Sequence, residues 1–156
     1  MAYNSYSNSN RNNSYVNRNN NSYRDKKFQN DNKPIVPKKI PDNYIDLAEE
    51  YMLNKSKSIT TSKIRRIYTL ITEIYNEEKL RTDSSLTEDN ISAVNMARIR
   101  IAYECGRESS VKIFVTETSI LEYLKGINGS RDEFIKFSKY IEALVAYHKY
   151  FGGREN

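Results

Sequence analysis

The sequence is short of the residues that most often carry chemistry or cross-link a chain. It has one cysteine, Cys105, and one histidine, His148, in 156 residues. A single thiol excludes an internal disulfide and fits a reducing cytoplasm. One His and one Cys cannot by themselves build a structural zinc site. Tryptophan is absent, glycines number five and prolines three, and no strand-like alternation is sustained, which argues against a turn-rich β fold. No apolar run approaches the ~18–20 residues that span a bilayer, and no secretory signal pattern is visible. A glycine-rich phosphate loop and a nucleophile elbow are both missing.

The carboxylate pairs Glu49-Glu50, Glu77-Glu78 and Asp132-Glu133 are adjacent, so on a helix they diverge. They read as solvated faces or first-turn acids, not a metal site. His148 lies on an apolar stripe without a second His and reads as a satisfied core or boundary histidine. Cys105 also lies on a stripe and reads as a small apolar residue. Nothing here supports an enzyme, a cofactor or a metal.

What is present is uneven charge and helical periodicity. The net charge of +5 divides into +6 over residues 1–41 (eight Lys/Arg, two Asp) and −1 over 42–156 (seventeen Lys/Arg, eighteen Asp/Glu). Nucleic-acid binding by the folded part must therefore rest on where charges lie, not on their sum. Residues 1–32 are rich in Asn and Ser, with Tyr and scattered Arg, and hold too little apolar surface to order themselves. Tyr3, Tyr6, Tyr15 and Tyr23 interleaved with Arg could stack on single-stranded bases, or the segment could be a solubilising tail. Pro34, Pro37 and Pro41 make an extended linker. The division expected is a disordered basic tail and linker over 1–41, then a helical domain over 42–156.

Five helices are predicted. The first spans about 43–55, capped by Asp42, with Tyr44, Leu47, Ala48, Tyr51 and Met52 inward. The second, about 62–80, follows the hydroxyls Thr60, Thr61 and Ser62 and carries Ile64, Ile67, Tyr68, Ile71, Ile74 and Tyr75 on one face. The third, about 88–106 and capped by Thr87, has a main stripe of Ile91, Val94, Ala97, Ile101 and Cys105. Met96, Ile99 and Tyr103 form a second apolar strip almost opposite. A helix apolar on two sides is central in a bundle or meets another chain. The fourth spans about 110–125, with Val111, Phe114, Val115, Leu121 and Leu124 inward. The fifth, about 131–151, opens on a Ser130–Glu133 capping box and buries Phe134, Phe137, Ile141, Leu144, Val145, His148 and Phe151. Short connections imply a compact bundle of mostly antiparallel neighbours.

One constellation points to a function. No acid occurs between Tyr51 and Thr72, while Lys55, Lys57, Lys63, Arg65 and Arg66 all do. Arg65 and Arg66 lie off the apolar stripe, at a helix start whose free N–H groups suit phosphate. Arg98, Arg100 and Arg107 follow on the third helix, Arg98 within its main stripe, where it must pair with an acid or reach out over its stem. If the two helices pack side by side, these eight residues form one strip for sequence-independent contact with a nucleic-acid backbone. The same residues also fit a self-standing helical adaptor that binds protein and has a solvated basic end.

Three segments, taken together, carry a resemblance. They are Ile59-Thr60-Thr61-Ser62-Lys63-Ile64-Arg65-Arg66, Ala102-Tyr103-Glu104-Cys105-Gly106-Arg107, and Glu142-Ala143-Leu144-Val145-Ala146-Tyr147-His148-Lys149-Tyr150. In this order and spacing, over roughly residues 43–153, the chain resembles the small subunit of type III-A CRISPR Csm effector complexes. Cys105 stands where that family more often has Ala. The resemblance implies a non-catalytic helical bundle that stacks head to tail in several copies beside the guide-holding backbone subunit, contacts the guide–target RNA duplex, and connects to the large signalling subunit in antiviral defence. It makes Lys63, Arg65, Arg66 and Arg107 the duplex-facing residues. Lys55, Lys57, Arg98 and Arg100 join them on charge placement alone. Tyr147, His148 and Lys149 are read as packing or subunit contact.

Overall fold

In the computed structural model, residues 33–156 are described, and the expectations for the 1–32 tail lie outside them. The apolar stripes fold into six helices, α1 (Tyr44–Lys55), α2 (Thr61–Glu78), α3 (Glu88–Arg107), α4 (Ser109–Glu117), α5 (Ile120–Gly126) and α6 (Arg131–Tyr150). The described residues contain no strand, only isolated bridges at Thr60–Arg154 and Ser85–Ser130. The all-α expectation holds. The segment expected as one helix over 110–125 is two, broken at Thr118–Ser119. Ser119 takes a left-handed conformation with φ 56°. The Thr118 carbonyl accepts the buried Tyr140 hydroxyl at 3.0 Å, and the Thr118 hydroxyl bonds back to Phe114 O at 2.6 Å.

Two of the four expected caps form, those of α3 and α6; the hydroxyls ahead of α2 make no side-chain capping bond. Thr87 Oγ1 accepts from Asn90 N at 3.1 Å, and Ser130 Oγ accepts from Glu133 N at 3.4 Å. Asp42 does not cap α1. Asn43 holds the cap position without a side-chain bond, and Asp42 pairs with Lys136 of α6 at 3.1 Å instead.

The core is where the stripes place it. Ile64, Ile67, Ile71 and Ile74 of α2, Val111, Phe114 and Val115 of α4, and Phe134, Phe137, Ile141 and Leu144 of α6 are all buried. On α3, Val94, Ala97 and Ile101 are buried while Ile91 is exposed. The central helix is α6, which packs on α1, α2 and α5; α3 packs on α4, α2 and α5. The main partner of α1 is thus remote in sequence. The loop that follows α1 explains this: Ile59 is buried, and its carbonyl accepts a bond from the buried His148 ring of α6 at 2.9 Å. The satisfied core histidine is therefore borne out.

Residues 35–40, expected as a linker, run along α5. Lys38 N donates to Glu122 O at 3.0 Å, Lys125 Nζ donates to Ile35 O at 2.8 Å, and Ile40 is buried in the core. Gly126 is required beneath this strap, because a Cβ there would lie 1.9 Å from Lys38 O.

Glu78 overturns the reading of Glu77-Glu78 as a solvated pair. Glu77 is exposed, but Glu78 is fully buried at the end of α2. Its carboxylate accepts from Asn90 Nδ2 at 2.6 Å, from Arg81 at 2.8 and 3.0 Å and from Thr87 N at 3.4 Å. Arg131 of α6 lies 3.6 Å away and donates twice to the Glu78 carbonyl, at 3.0 and 2.7 Å. Burial pushes the Glu78 carboxyl up. The bonds from Asn90, Arg81 and Thr87, together with the Arg81 charge, outweigh burial and hold it below its ordinary value. One carboxylate thereby ties α2, α3 and α6 together.

Candidate nucleic-acid interface

The start of α2 is less open than its sequence implied. Thr60 is the cap residue but makes no side-chain capping bond. The chain's last described residues lie across it. Thr61 N and Thr61 Oγ1 both donate to Arg154 O, at 2.9 and 3.3 Å, and Ser62 Oγ donates to Asn156 Oδ1 at 2.6 Å. The first helical N–H is therefore spent within the chain. What remains is a side-chain surface. Thr61, Ser62, Arg65, Arg66, Thr69, Glu155 and Asn156 line an open depression of about 420 Å³.

As expected, α2 and α3 pack side by side. Their shared edge carries acids as well as bases. Lys63 pairs with Glu108 and donates to Ser110 Oγ at 3.1 Å; its ammonium holds the Glu108 carboxyl below the ordinary carboxylate range. Arg66 lies 3.6 Å from Glu104. Arg107 reaches the same carboxylate at 3.3 Å, with its guanidinium 5.6 Å from the Tyr103 ring centre. Arg65 and Arg100 are exposed and have no ionic partner among the described residues. The Arg66 and Arg107 side chains are 60% and 53% exposed. Exposed ion pairs are worth about 0–1 kcal/mol, so either arginine can exchange Glu104 for a phosphate at little cost.

The eight candidates do not form one strip. Lys63, Arg65, Arg66, Arg100 and Arg107 belong to the α2–α3 edge; Arg100 is one helical turn from Glu104, so it shares that flank. Arg98 is about 120° around α3 from Glu104, half-buried and bonded to Asn95 at 3.2 Å. It reaches out rather than pairing with an acid. Lys55 pairs with Glu117 of α4, whose carboxylate also accepts the Tyr51 hydroxyl at 2.9 Å. Lys57 donates to Gly152 O and so braces the turn after α6. Sequence reasoning missed Glu104 and Glu108 as counter-charges. The available signal was their i, i+4 spacing at the end of α3, on the flank that meets α2.

Two other polar groups are occupied or quiet. The His148 ring is buried against Ile59 O, and a Cβ on Gly153 would come within 2.2 Å of it. Burial pushes the half-buried Cys105 thiol up to about 11, so it is not a thiolate at neutral pH. No group of three His, Cys, Asp or Glu among the described residues could hold a metal ion, and no helix of the described residues is long and apolar enough to cross a membrane.

The family model for Csm2 Type III-A matches residues 38–154. The chain belongs to that family. The match opens inside the strap at Lys38, and it closes at Arg154, which lies over α2. It thus takes in the two peripheral segments that the helices alone would have excluded. Proteins named "CRISPR system Cms protein Csm2" are similar over most of the chain. The one from Mycobacterium tuberculosis H37Rv is 35% identical over 120 residues, covering 74% of this chain and 97% of the relative. The one from Streptococcus thermophilus is 37% identical over 120 residues, covering 73% and 95%. The one from Enterococcus italicus is 33% identical over 95 residues, covering 60% and 68%. The small-subunit family that the three motifs resembled is thereby confirmed.

Proposed function

We propose that this chain is the non-catalytic, RNA-binding small subunit of a type III-A Csm effector ribonucleoprotein in the cytoplasm. Several copies stack beside the guide-holding backbone subunit, contact the guide–target RNA duplex, and connect to the large signalling subunit. Family membership supports the place in the complex. The observation that carries RNA contact is the exposed Arg65–Arg66 pair on α2, bordered by the hydroxyls of Thr61, Ser62 and Thr69. Guanidinium and hydroxyl donors without a base-reading element suit phosphate oxygens. A non-catalytic role is supported by the state of His148 and Cys105, one buried against a carbonyl and the other held as a thiol.

The test is the salt dependence of target binding by assembled complexes. Arg65→Ala with Arg66→Ala removes up to two phosphate contacts per copy, and each lost contact lowers the slope of log K against log salt by about 0.7–0.9. The loss should be the same for every matched target sequence, because no base edge is read. An unchanged slope in complexes of normal composition would refute this placement of the RNA. Purification as a small oligomer free of guide RNA would favour the adaptor reading instead.

A further inference from the structure

Beyond the depression that holds Arg65, α2 forms a narrow groove against α6. The groove has a volume of about 100 Å³ and is lined by Tyr68, Thr72, Tyr75 and Asn76 of α2 and by Ser138 and Glu142 of α6. Thr72 and Asn76 each lie within about 20° of Arg65 around α2, and Thr72 is about 10 Å further along the axis. The arginine and the groove therefore share one flank, close enough for one strand to touch both. Their chemistry differs, because the groove is rich in acceptors. Thr72 Oγ1 donates to Tyr68 O at 2.9 Å and Ser138 Oγ to Phe134 O at 2.9 Å, so each hydroxyl has spent its proton and keeps lone pairs. Glu142 is exposed and makes no ion pair or hydrogen bond among the described residues. A carboxylate beside a phosphate strand repels it unless the strand supplies a donor. On the sugar, RNA supplies one and DNA does not: the 2′-hydroxyl. The groove holds about three times a water's share of liquid volume, which suits the edge of a sugar.

We propose that the α2–α6 groove takes the ribose edge of the strand whose phosphates sit at Arg65, with the Glu142 carboxylate accepting a hydrogen bond from a 2′-hydroxyl. The inference rests on the reading that this flank of α2 binds RNA, and it adds a means of telling RNA from DNA. Arg65 and Arg66 meet phosphate, which both polymers carry. Glu142 favours the polymer with a sugar donor and opposes the one without. Thr72 and Ser138 offer further acceptors, and the Tyr68 and Tyr75 hydroxyls, which make no hydrogen bond among the described residues, can donate to sugar oxygens. A sugar contact carries no base information, so binding stays independent of sequence.

The experiment titrates the full-length chain, at low salt where backbone binding is strongest, into a labelled RNA duplex and into the same duplex built with 2′-fluoro sugars. The fluoro duplex keeps the A-form and every phosphate but has no 2′ donor. The wild type should bind the RNA duplex about tenfold tighter, as a hydrogen bond to a charged group implies. Glu142→Ala should erase that ratio, and it should bind the fluoro duplex at least as tightly as the wild type does, since a like charge has gone. Glu142→Gln keeps an acceptor without the charge and should retain part of the ratio. Arg65→Ala with Arg66→Ala should weaken binding of both duplexes by the same factor and leave the ratio unchanged. All three side chains are exposed, so the variants should melt as the wild type does. Equal wild-type affinity for the two duplexes overturns the proposal, and so does a ratio that survives Glu142→Ala. The RNA reading outlives either result as long as the arginine variant binds more weakly. An arginine variant that binds both duplexes normally, or a wild type that binds neither, refutes that reading and this inference with it.

Discussion

Glu78→Ala should be among the most destabilising single changes outside the apolar core. Removing one partner of a buried ion pair costs about 3–5 kcal/mol. Two features of the site place Glu78 at the lower end. Arg131 keeps its two bonds to the residue-78 carbonyl, which the substitution does not touch. The Arg81 side chain is 27% exposed and can turn to Asp83, already 2.6 Å away. Asn90 has no such escape. It is 4% exposed, and a buried donor left unpaired costs about 1–3 kcal/mol. A loss of about 3 kcal/mol follows. At roughly 4 °C per kcal/mol for a domain of this size, Tm should fall by about 12 °C. Glu77→Ala is the control, since its exposed side chain should move stability by no more than about 0.5 kcal/mol. The folded-state pKa of Glu78 is depressed, so its stabilisation is fully present above the unfolded value near 4.5. It is lost as pH falls through the folded value. Glu78→Gln should therefore lose that share of acid sensitivity. Differential scanning calorimetry from pH 7 to pH 3 reads both effects. If Glu78→Ala melts with Glu77→Ala, the carboxylate does not hold the three helices together and the reasoning fails.

The strap, two glycines and the histidine give further expectations. A chain beginning at Pro41 should be less stable than one beginning at Pro34 by about 1.5–3 kcal/mol, the worth of burying the Ile40 side chain; equal thermal melts would show that the strap adds nothing. Gly126→Ala should destabilise, because its Cβ meets the Lys38 backbone. Gly106→Ala, with nothing within 4 Å, should stabilise by about 0.5–1 kcal/mol through helix propensity; urea titrations showing the same sign at both positions would contradict this. His148→Ala should cost about 1–3 kcal/mol from the lost packing and the unpaired Ile59 carbonyl, and it should leave nucleic-acid cleavage by the assembled complex intact. Cleavage lost from a stable complex would refute the non-catalytic reading.

The helices were legible because periodicity reports burial directly. Stripes on α2 and α6 at three- and four-residue spacing are the buried faces, and Thr87 and Ser130 cap as their side-chain chemistry requires. What escaped was set by contacts distant in sequence. The break at Thr118–Ser119 depends on the Tyr140 hydroxyl reaching a helix carbonyl from α6. The strap depends on a groove beside α5 that no local pattern in 33–41 announces; its prolines describe an extended chain correctly but not what that chain lies on. Glu78 looked like its neighbour Glu77 because a one-residue step on a helix turns a side chain by 100°. Only the arrival of Arg81, Asn90 and Arg131 makes the buried position tolerable.

The same limit shaped the basic surface. A run of Lys and Arg without acids is a statement about neighbours in sequence, whereas the field at a surface depends on neighbours in space. Glu104 and Glu108, some forty residues away, neutralise part of what α2 presents, and Glu117 does the same for Lys55. The acids do not abolish the basic surface; they sort it. Lys63, bonded to both Glu108 and Ser110, is held as part of the α2–α3 packing. Arg66 and Arg107 share one carboxylate and remain mostly exposed, so each has donors to spare for a phosphate or a carboxylate. Arg65 faces solvent and makes no ion pair among the described residues, although Glu155 lines the same depression, so its charge is more available to another chain than that of a paired base. In the assembled complex, Arg65 should therefore contribute more to the salt slope than Lys63, although both stand in the same basic run. Equal losses for Arg65→Ala and Lys63→Ala would mean that the Glu108 pair opens freely and that sequence position alone had ranked the two residues correctly.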